Sequence, residues 1–243
     1  AEKGGKEVLK NVAGISFKEQ ESGFFAGYAA VKEGFTKLGG TFGGGGTNPA
    51  CNRFANGYIL GATEAAKEMK KSIEMRISFL HGNTFSASSE LQAQINGWYE
   101  NGTEVVFSCG GSMVNSVIAA ADAKNGKVIG VDTDQSKLSD RIITSAVKGL
   151  ANSVKWALGE FYAGKWEAIG GTGTQLGATD DATGLPTAAA SWKMTKFTVD
   201  EYNALLAKVK AGTIKINISE YDEEISWVEK LTVDGTITVA LEK

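Results

Sequence analysis

The sequence predicts an α/β protein built on parallel strands. Short apolar runs alternate with helical patterns along most of the chain, the mark of repeated βαβ units. Successive strands lie about 25 residues apart, the separation that a right-handed crossover through a helix needs. The length of 243 residues suits one large α/β domain or two intimately joined lobes.

Val12–Phe17 is a short apolar run. In Glu19–Lys37, Phe24, Phe25, Tyr28, Val31 and Phe35 recur at helical spacing. A glycine-dense stretch, Gly39–Gly46, comes next. Pro49 suits the first turn of a helix with Asn48 or Thr47 as N-cap; this helix should reach about Lys71, with Phe54, Tyr58, Ile59, Ala62 and Ala66 inward. Met75–Leu80, Glu104–Cys109, Lys127–Asp132 and Arg141–Ser145 read as strands. Ser88–Glu100, Asn115–Lys124 and about Val147 to Tyr162 read as helices. Residues 166–198 show little periodicity and suit an irregular connection with short strands. Thr198–Ala211 reads as a last helix with Thr198 as its cap, and Asp234-Gly235, between alternating apolar runs, signals a terminal hairpin.

Composition narrows the function classes. Hydrophobic residues make up 42% and charged ones 22%, ordinary for a globular domain. The formal net charge is −3, which gives a nucleic-acid backbone no reason to bind. Only Arg53, Arg76 and Arg141 are arginines, so bidentate anion clamps are scarce. Cys51 and Cys109 have no metal-ligand spacing and read as free, buried thiols ahead of a disulfide. His81 is the only histidine, which leaves a zinc site or a Ser-His-Asp triad one candidate. No cofactor and no metal is expected, and no run approaches the roughly 18 apolar residues needed to span a bilayer.

In open parallel sheets, ligands bind just beyond the carboxyl ends of the strands. Four groups fall there: His81–Phe85, Cys109–Ser112, Asp132–Gln135 and Thr144–Lys148. Together they hold the means to bind a neutral polar small molecule. An aromatic ring offers a stacking face, and glycines let backbone approach closely. A carboxylate can accept from a vicinal diol while a lysine offsets its charge. A paired nucleophile and base is lacking. Each residue also has a plain structural reading: Phe85 as core, Gly110 and Gly111 as a tight turn, Asp132 and Asp134 as turn residues, Lys148 on a solvated helix face.

Longer strings carry a resemblance. ISFKEQESGFFAGYAAV (15–31), FANGYILGA (54–62), WYENGTEVVFSCGGS (98–112), KVIGVDTDQS (127–136) and IITSAVKGL (142–150) are similar to segments of the basic membrane protein family, over about residues 12–215. The resemblance implies a type I periplasmic-binding-protein fold, with parallel sheets flanked by helices in two lobes and ligand in the cleft between them. It implies lobes of residues 1–43 plus 143–174 and of 44–142 plus 175–243. It also implies a non-enzymatic, extracytoplasmic, lipid-anchored receptor that delivers a purine nucleoside to an ABC transporter permease. A sensing receptor of the same fold and, further off, a nucleoside-processing enzyme are the alternatives. Carried over by position, Phe85 resembles the ring that stacks on the base, Gly110 and Gly111 backbone contacts, and Asp132 the carboxylate on the ribose hydroxyls. Lys148 resembles the lysine beside it, and Glu19 a polar contact from the other lobe. The β–α units that precede SFKEQE in the family are missing, so the first lobe is expected to be incomplete. A chain with such a lobe should bind weakly alone or cover its exposed edge with a copy of itself.

Overall fold

A computed structural model describes residues 8–216 and 236–242. Along the chain run β1 (Gly14–Phe17), α1 (Glu19–Glu33), β2 (Lys37–Phe42), α2 (Pro49–Met69), β3 (Ile73–Ser78), α3 (Ser89–Glu100), β4 (Val105–Cys109) and α4 (Met113–Lys124). Then follow β5 (Lys127–Asp132), β6 (Ile142–Lys148), α5 (Leu150–Tyr162), α6 (Trp166–Ile169), β7 (Gly173–Leu176), β8 (Thr183–Gly184), α7 (Val199–Lys210) and β9 (Ile237–Glu242).

Local chemistry sets several boundaries where the sequence places them. The Asn48 side chain accepts from the Ala50 and Cys51 N–H groups, with Pro49 just inside α2. Ser88 accepts from the Leu91 N–H at the start of α3. Thr198 and Glu201 cap α7 reciprocally. Each satisfies backbone donors that a helix start leaves without intrahelical partners.

Two expectations are corrected. The helix over residues 19–37 stops at Glu33, where Gly34 takes a left-handed φ of 111°, and Lys37–Phe42 becomes a central strand. Glycine is depleted in strands, so the Gly39-Gly40 pair hides it. Packing explains the pair: a Cβ on Gly39 would lie 2.9 Å from the Trp98 ring, and one on Gly40 2.6 Å from the Phe42 ring. The strand at Arg141–Ser145 runs on to Lys148, so α5 starts at Leu150 and Lys148 is a strand residue.

The main sheet has the order β8-β6-β5-β4-β2-β3-β9, parallel except for β8, while β1 and β7 form a separate parallel pair. One face is covered by α1, α2 and α7, through residues such as Phe25, Phe54, Tyr58 and Tyr202. The other is covered by α3 and α4, through Leu91, Ile95, Trp98 and Val117. The strands β2 and β6, which the expected lobe division gave to the first lobe, hydrogen-bond within this main sheet. The hairpin turn expected at Asp234-Gly235 lies outside the described residues; the run after it, β9, lies parallel to β3, pairing Ile73 with Ile237.

α1 and α2 pack backbone to backbone. A Cβ on Gly23 would sit 2.3 Å from the Phe54 carbonyl oxygen, and one on Gly27 2.0 Å from that of Tyr58. In return, a Cβ on Gly57 would sit 2.0 Å from the Gln20 oxygen and one on Gly61 1.9 Å from the Phe24 oxygen. A Gly-x-x-x-Gly pair on each helix therefore interlocks with the other.

Around β1 and β7 the core is small: Phe17, Leu176 and Ala182, with Ile15 and Trp156 against them. Beside it, α5 turns Leu150, Val154, Leu158, Phe161 and Tyr162 to solvent, and Leu9 and Val12 are exposed too. Ser153 is the residue that α5 buries.

Candidate functional site

Because β2 to β6 are parallel, their carboxyl ends open on one edge of the sheet. Phe85 stands in the loop after β3, Gly110 and Gly111 follow β4, Asp132 ends β5 and Lys148 ends β6. Glu19 starts α1, whose Ser22 hydroxyl donates to the Val147 carbonyl at 2.7 Å, so Glu19 reaches the same edge. It sits with the main sheet, where the resemblance had placed it on the other lobe.

Phe85 and the glycines touch. The Phe85 backbone has φ 58°, a genuine outlier for a bulky residue and a conformation that costs about 1–3 kcal/mol. Its N–H donates to the Gly82 oxygen and its carbonyl accepts from Ser112, both at 3.0 Å. A Cβ on Gly43 would lie 2.2 Å from its ring, one on Gly110 3.2 Å from it, and one on Gly111 2.7 Å from its carbonyl. The half-buried ring is thus seated on bare backbone. Gly44, Gly45 and Gly46 between β2 and α2 all have positive φ, which lets the chain double back under the ring.

Lys148 joins the acidic residues. Its Nζ lies 3.2 Å from Asp132 Oδ1 and 3.4 Å from Glu19 Oε1, and over the rings of Phe54 at 5.3 Å and Phe17 at 5.8 Å. Burial alone would push the ammonium pKa down, but the Asp132 and Glu19 carboxylates outweigh it and hold it above the ordinary lysine value. Glu19, 3% exposed, also accepts from Arg53 Nε at 2.6 Å. Asp132 Oδ1 is buried and accepts no hydrogen bond; the Lys148 contact supplies charge without hydrogen-bond geometry. The Asp132 side chain is nevertheless 45% exposed, so a ligand donor could reach the carboxylate. A cavity of ≈390 Å³ opens beside Lys148, Thr133, Asp134 and Asn152.

Asp134 has structural work: Ser191 and the Ser136 N–H donate to it. Burial raises its pKa, and those donors more than reverse the effect. Sequence reasoning missed Arg53, Phe17 and Phe54 as neighbours of the charged cluster. Arg53 carried a signal, being the sole charge from Pro49 to Thr63. Nothing in the sequence marks the two rings as seats for a lysine. Among the described residues, no group of three or more His, Cys, Asp or Glu could hold a metal ion, and no helix is long and apolar enough to cross a membrane.

A helix-flanked parallel sheet with polar loops along one carboxyl edge, and a second small sheet beside it, is the plan of the periplasmic-binding-protein-like fold. Its likeness to the solute-binding protein of an ABC transporter system from Aeropyrum pernix K1 agrees: TM-score 0.69 at 22% identity, covering 93% of this chain and 72% of that one. The chain belongs to the Bmp family, ABC transporter substrate-binding protein PnrA-like, which matches residues 1–227. It is 31% identical over 188 residues to Basic membrane protein B of Borreliella burgdorferi, covering 75% of this chain and 52% of that protein. It is 30% identical over 165 residues to the ABC transporter nucleoside-binding protein BmpA of Lactococcus lactis subsp. cremoris, covering 60% of this chain and 45% of that protein. The chain thus spans about half the length of the curated relatives it matches.

Proposed function

We propose that the chain acts in an extracytoplasmic receptor that binds a purine nucleoside for an ABC transporter permease, without turnover. The observation that carries this is the Phe85 ring on its glycine seat and the Asp132 carboxylate beside Lys148, all at one sheet edge. A flat base would stack on the ring and accept backbone donors near Gly110 and Gly111. The exposed part of the Asp132 carboxylate would take the ribose hydroxyls, with Lys148 neutralising the charge. The family and the nucleoside-binding relative support the same reading. Glu19, itself held by Arg53, keeps Lys148 in place. The lobes would then divide near residues 18, 149 and 177, where the chain passes between the two sheets.

A thermal-shift screen with inosine, guanosine, adenosine and the free bases tests this. A true ligand raises the melting temperature with dose, as RT ln(1 + [L]/Kd) requires. Asp132→Ala should remove most of the rise for nucleosides. Phe85→Gly should remove it while lowering the ligand-free melting temperature little, since relief of about 1 kcal/mol of backbone strain offsets the lost ring contacts. Free base released from inosine would instead mark an enzyme, and a flat response to all nucleosides would overturn the proposal.

The exposed apolar stripe of α5 supports the further reading that the small lobe associates with a second copy. Sedimentation of the 243-residue chain should show a concentration-dependent dimer that Leu158→Glu abolishes. A monomer at all concentrations would refute it.

A further inference from the structure

Asp132, the last residue of β5, has a left-handed backbone with φ 63°. Across it the Thr133 N–H donates to the Val131 carbonyl at 2.7 Å, an i to i+2 bond that closes a γ-turn. With a positive φ at its centre, this is the rarer and strained form of that turn. Such a conformation persists only where its surroundings enforce it, and it gathers at ligand sites. Here one side chain, Gln135, supplies the enforcement.

β4 pairs with β5 only as far as Ile129. Beyond it, Gln135 Oε1 accepts from the Val131 N–H at 3.0 Å. The Gln135 N–H in turn donates to Ser145 Oγ at 3.1 Å, and Ser145 is buried on β6 opposite Gly130. Gly130 leaves the room for this: a Cβ on it would lie 2.6 Å from Gln135 Oε1 and 2.7 Å from Ser145 Oγ. Gln135 therefore bridges β5 just before Asp132 and β6 shortly before Lys148. The loop beyond Thr133 is fixed separately, through the bonds of Asp134 to Ser191 and to the Ser136 N–H.

We propose that Gln135 is a positioning residue of the nucleoside site: it holds the Asp132 turn and so sets how the carboxylate meets Lys148 and the sugar. The inference rests on the nucleoside reading above and adds to it a residue that need touch no ligand. Without the Oε1 acceptor, the N–H of buried Val131 loses its partner, which is costly. The turn then relaxes to an ordinary negative φ and swings the carboxylate away from its place. The Phe85 ring, seated against Gly43 and Gly110, keeps its own supports. Sugar recognition and base stacking should therefore separate.

The test compares the 243-residue chain with Gln135→Met and Gln135→Glu, by calorimetry with inosine against hypoxanthine and adenosine against adenine. The first variant keeps the side chain's length but lacks the acceptor; the second keeps an acceptor oxygen. Gln135→Met should weaken nucleoside binding about tenfold, the worth of one hydrogen bond to a charged group, and leave free-base binding unchanged. Gln135→Glu should retain the nucleoside preference. The ligand-free protein gives a second readout, the titration of the Lys148 side chain by NMR. Burial pulls the Lys148 pKa down and Asp132 is the chief influence raising it. That pKa should fall in Gln135→Met and stay raised in Gln135→Glu. Equal losses for nucleoside and base would overturn the proposal, as would a folded Gln135→Met with preference and titration unmoved. If the unsubstituted chain preferred no nucleoside, the nucleoside reading itself would fail, and the Lys148 titration would decide the role of Gln135. Should Gln135→Met not fold, Ser145→Ala removes the other end of the bridge and should move both readouts the same way by less; unmoved readouts there would also overturn the proposal.

Discussion

Gly61→Ala should destabilise the protein by about 3 kcal/mol, read as a lower urea midpoint at unchanged slope. The added methyl would stand 1.9 Å from the Phe24 carbonyl oxygen. Its obstacle is helix backbone, which cannot rotate away as a side chain end can. α1 and α2 must move apart, and the contacts of Phe24, Phe25, Phe54 and Tyr58 between them and the sheet loosen together. The same substitution gains about 1 kcal/mol of helix propensity, so the measured loss understates the clash. Gly159→Ala in α5 is the internal control, because a Cβ there meets nothing within 4 Å; it should stabilise by about 0.5–1 kcal/mol. If both substitutions had the same sign, the interlock would not be the determinant.

Lys148→Met should lower stability at neutral pH by about 3 kcal/mol, the low end of the range for breaking a buried ion pair. Removing the ammonium leaves Glu19, at 3% exposed, facing a carboxylate with only Arg53 to compensate it. Asp132 is wet enough for its share to be screened. The pH dependence identifies the cause. The Lys148 pKa is higher folded than unfolded, so its contribution is complete below the unfolded value of about 10.4 and fades as the pH rises through the folded one. The difference in unfolding free energy between the two proteins should therefore be constant from neutral pH up to that value and shrink in strongly alkaline solution. A difference that instead grew with alkalinity would mean that Lys148 is not held by its carboxylates.

Much of this arrangement is legible in the sequence for a simple reason. Parallel strands all end on one edge, so finding β4 and β5 also located Gly110, Gly111 and Asp132. Caps at Asn48 and Thr198 are local signals and placed two helix starts. What stayed hidden depends on contacts distant in sequence. β2 has a composition that strands avoid, and the Trp98 ring against Gly39 and the Phe42 and Ile77 side chains against Gly40 account for it. Lys148 read as a solvated helix residue because nothing local says that β6 continues to it, or that Phe17 and Phe54 flank its ammonium. Arg53 could be noticed as an isolated charge, but its pairing with Glu19 across 34 residues could not.

The outermost strand of the main sheet has a kinetic consequence. Docking β9 on β3 joins Ile237 to Ile73, closing a loop that spans most of the polypeptide, while neighbouring β2 and β3 are linked through one helix. Loop closure of that size is entropically costly before any pairing is gained, and topology of this kind slows folding. The six-residue strand should therefore zip on after the rest of the sheet has condensed. Its amides should also be the first of the main sheet to exchange with deuterated solvent.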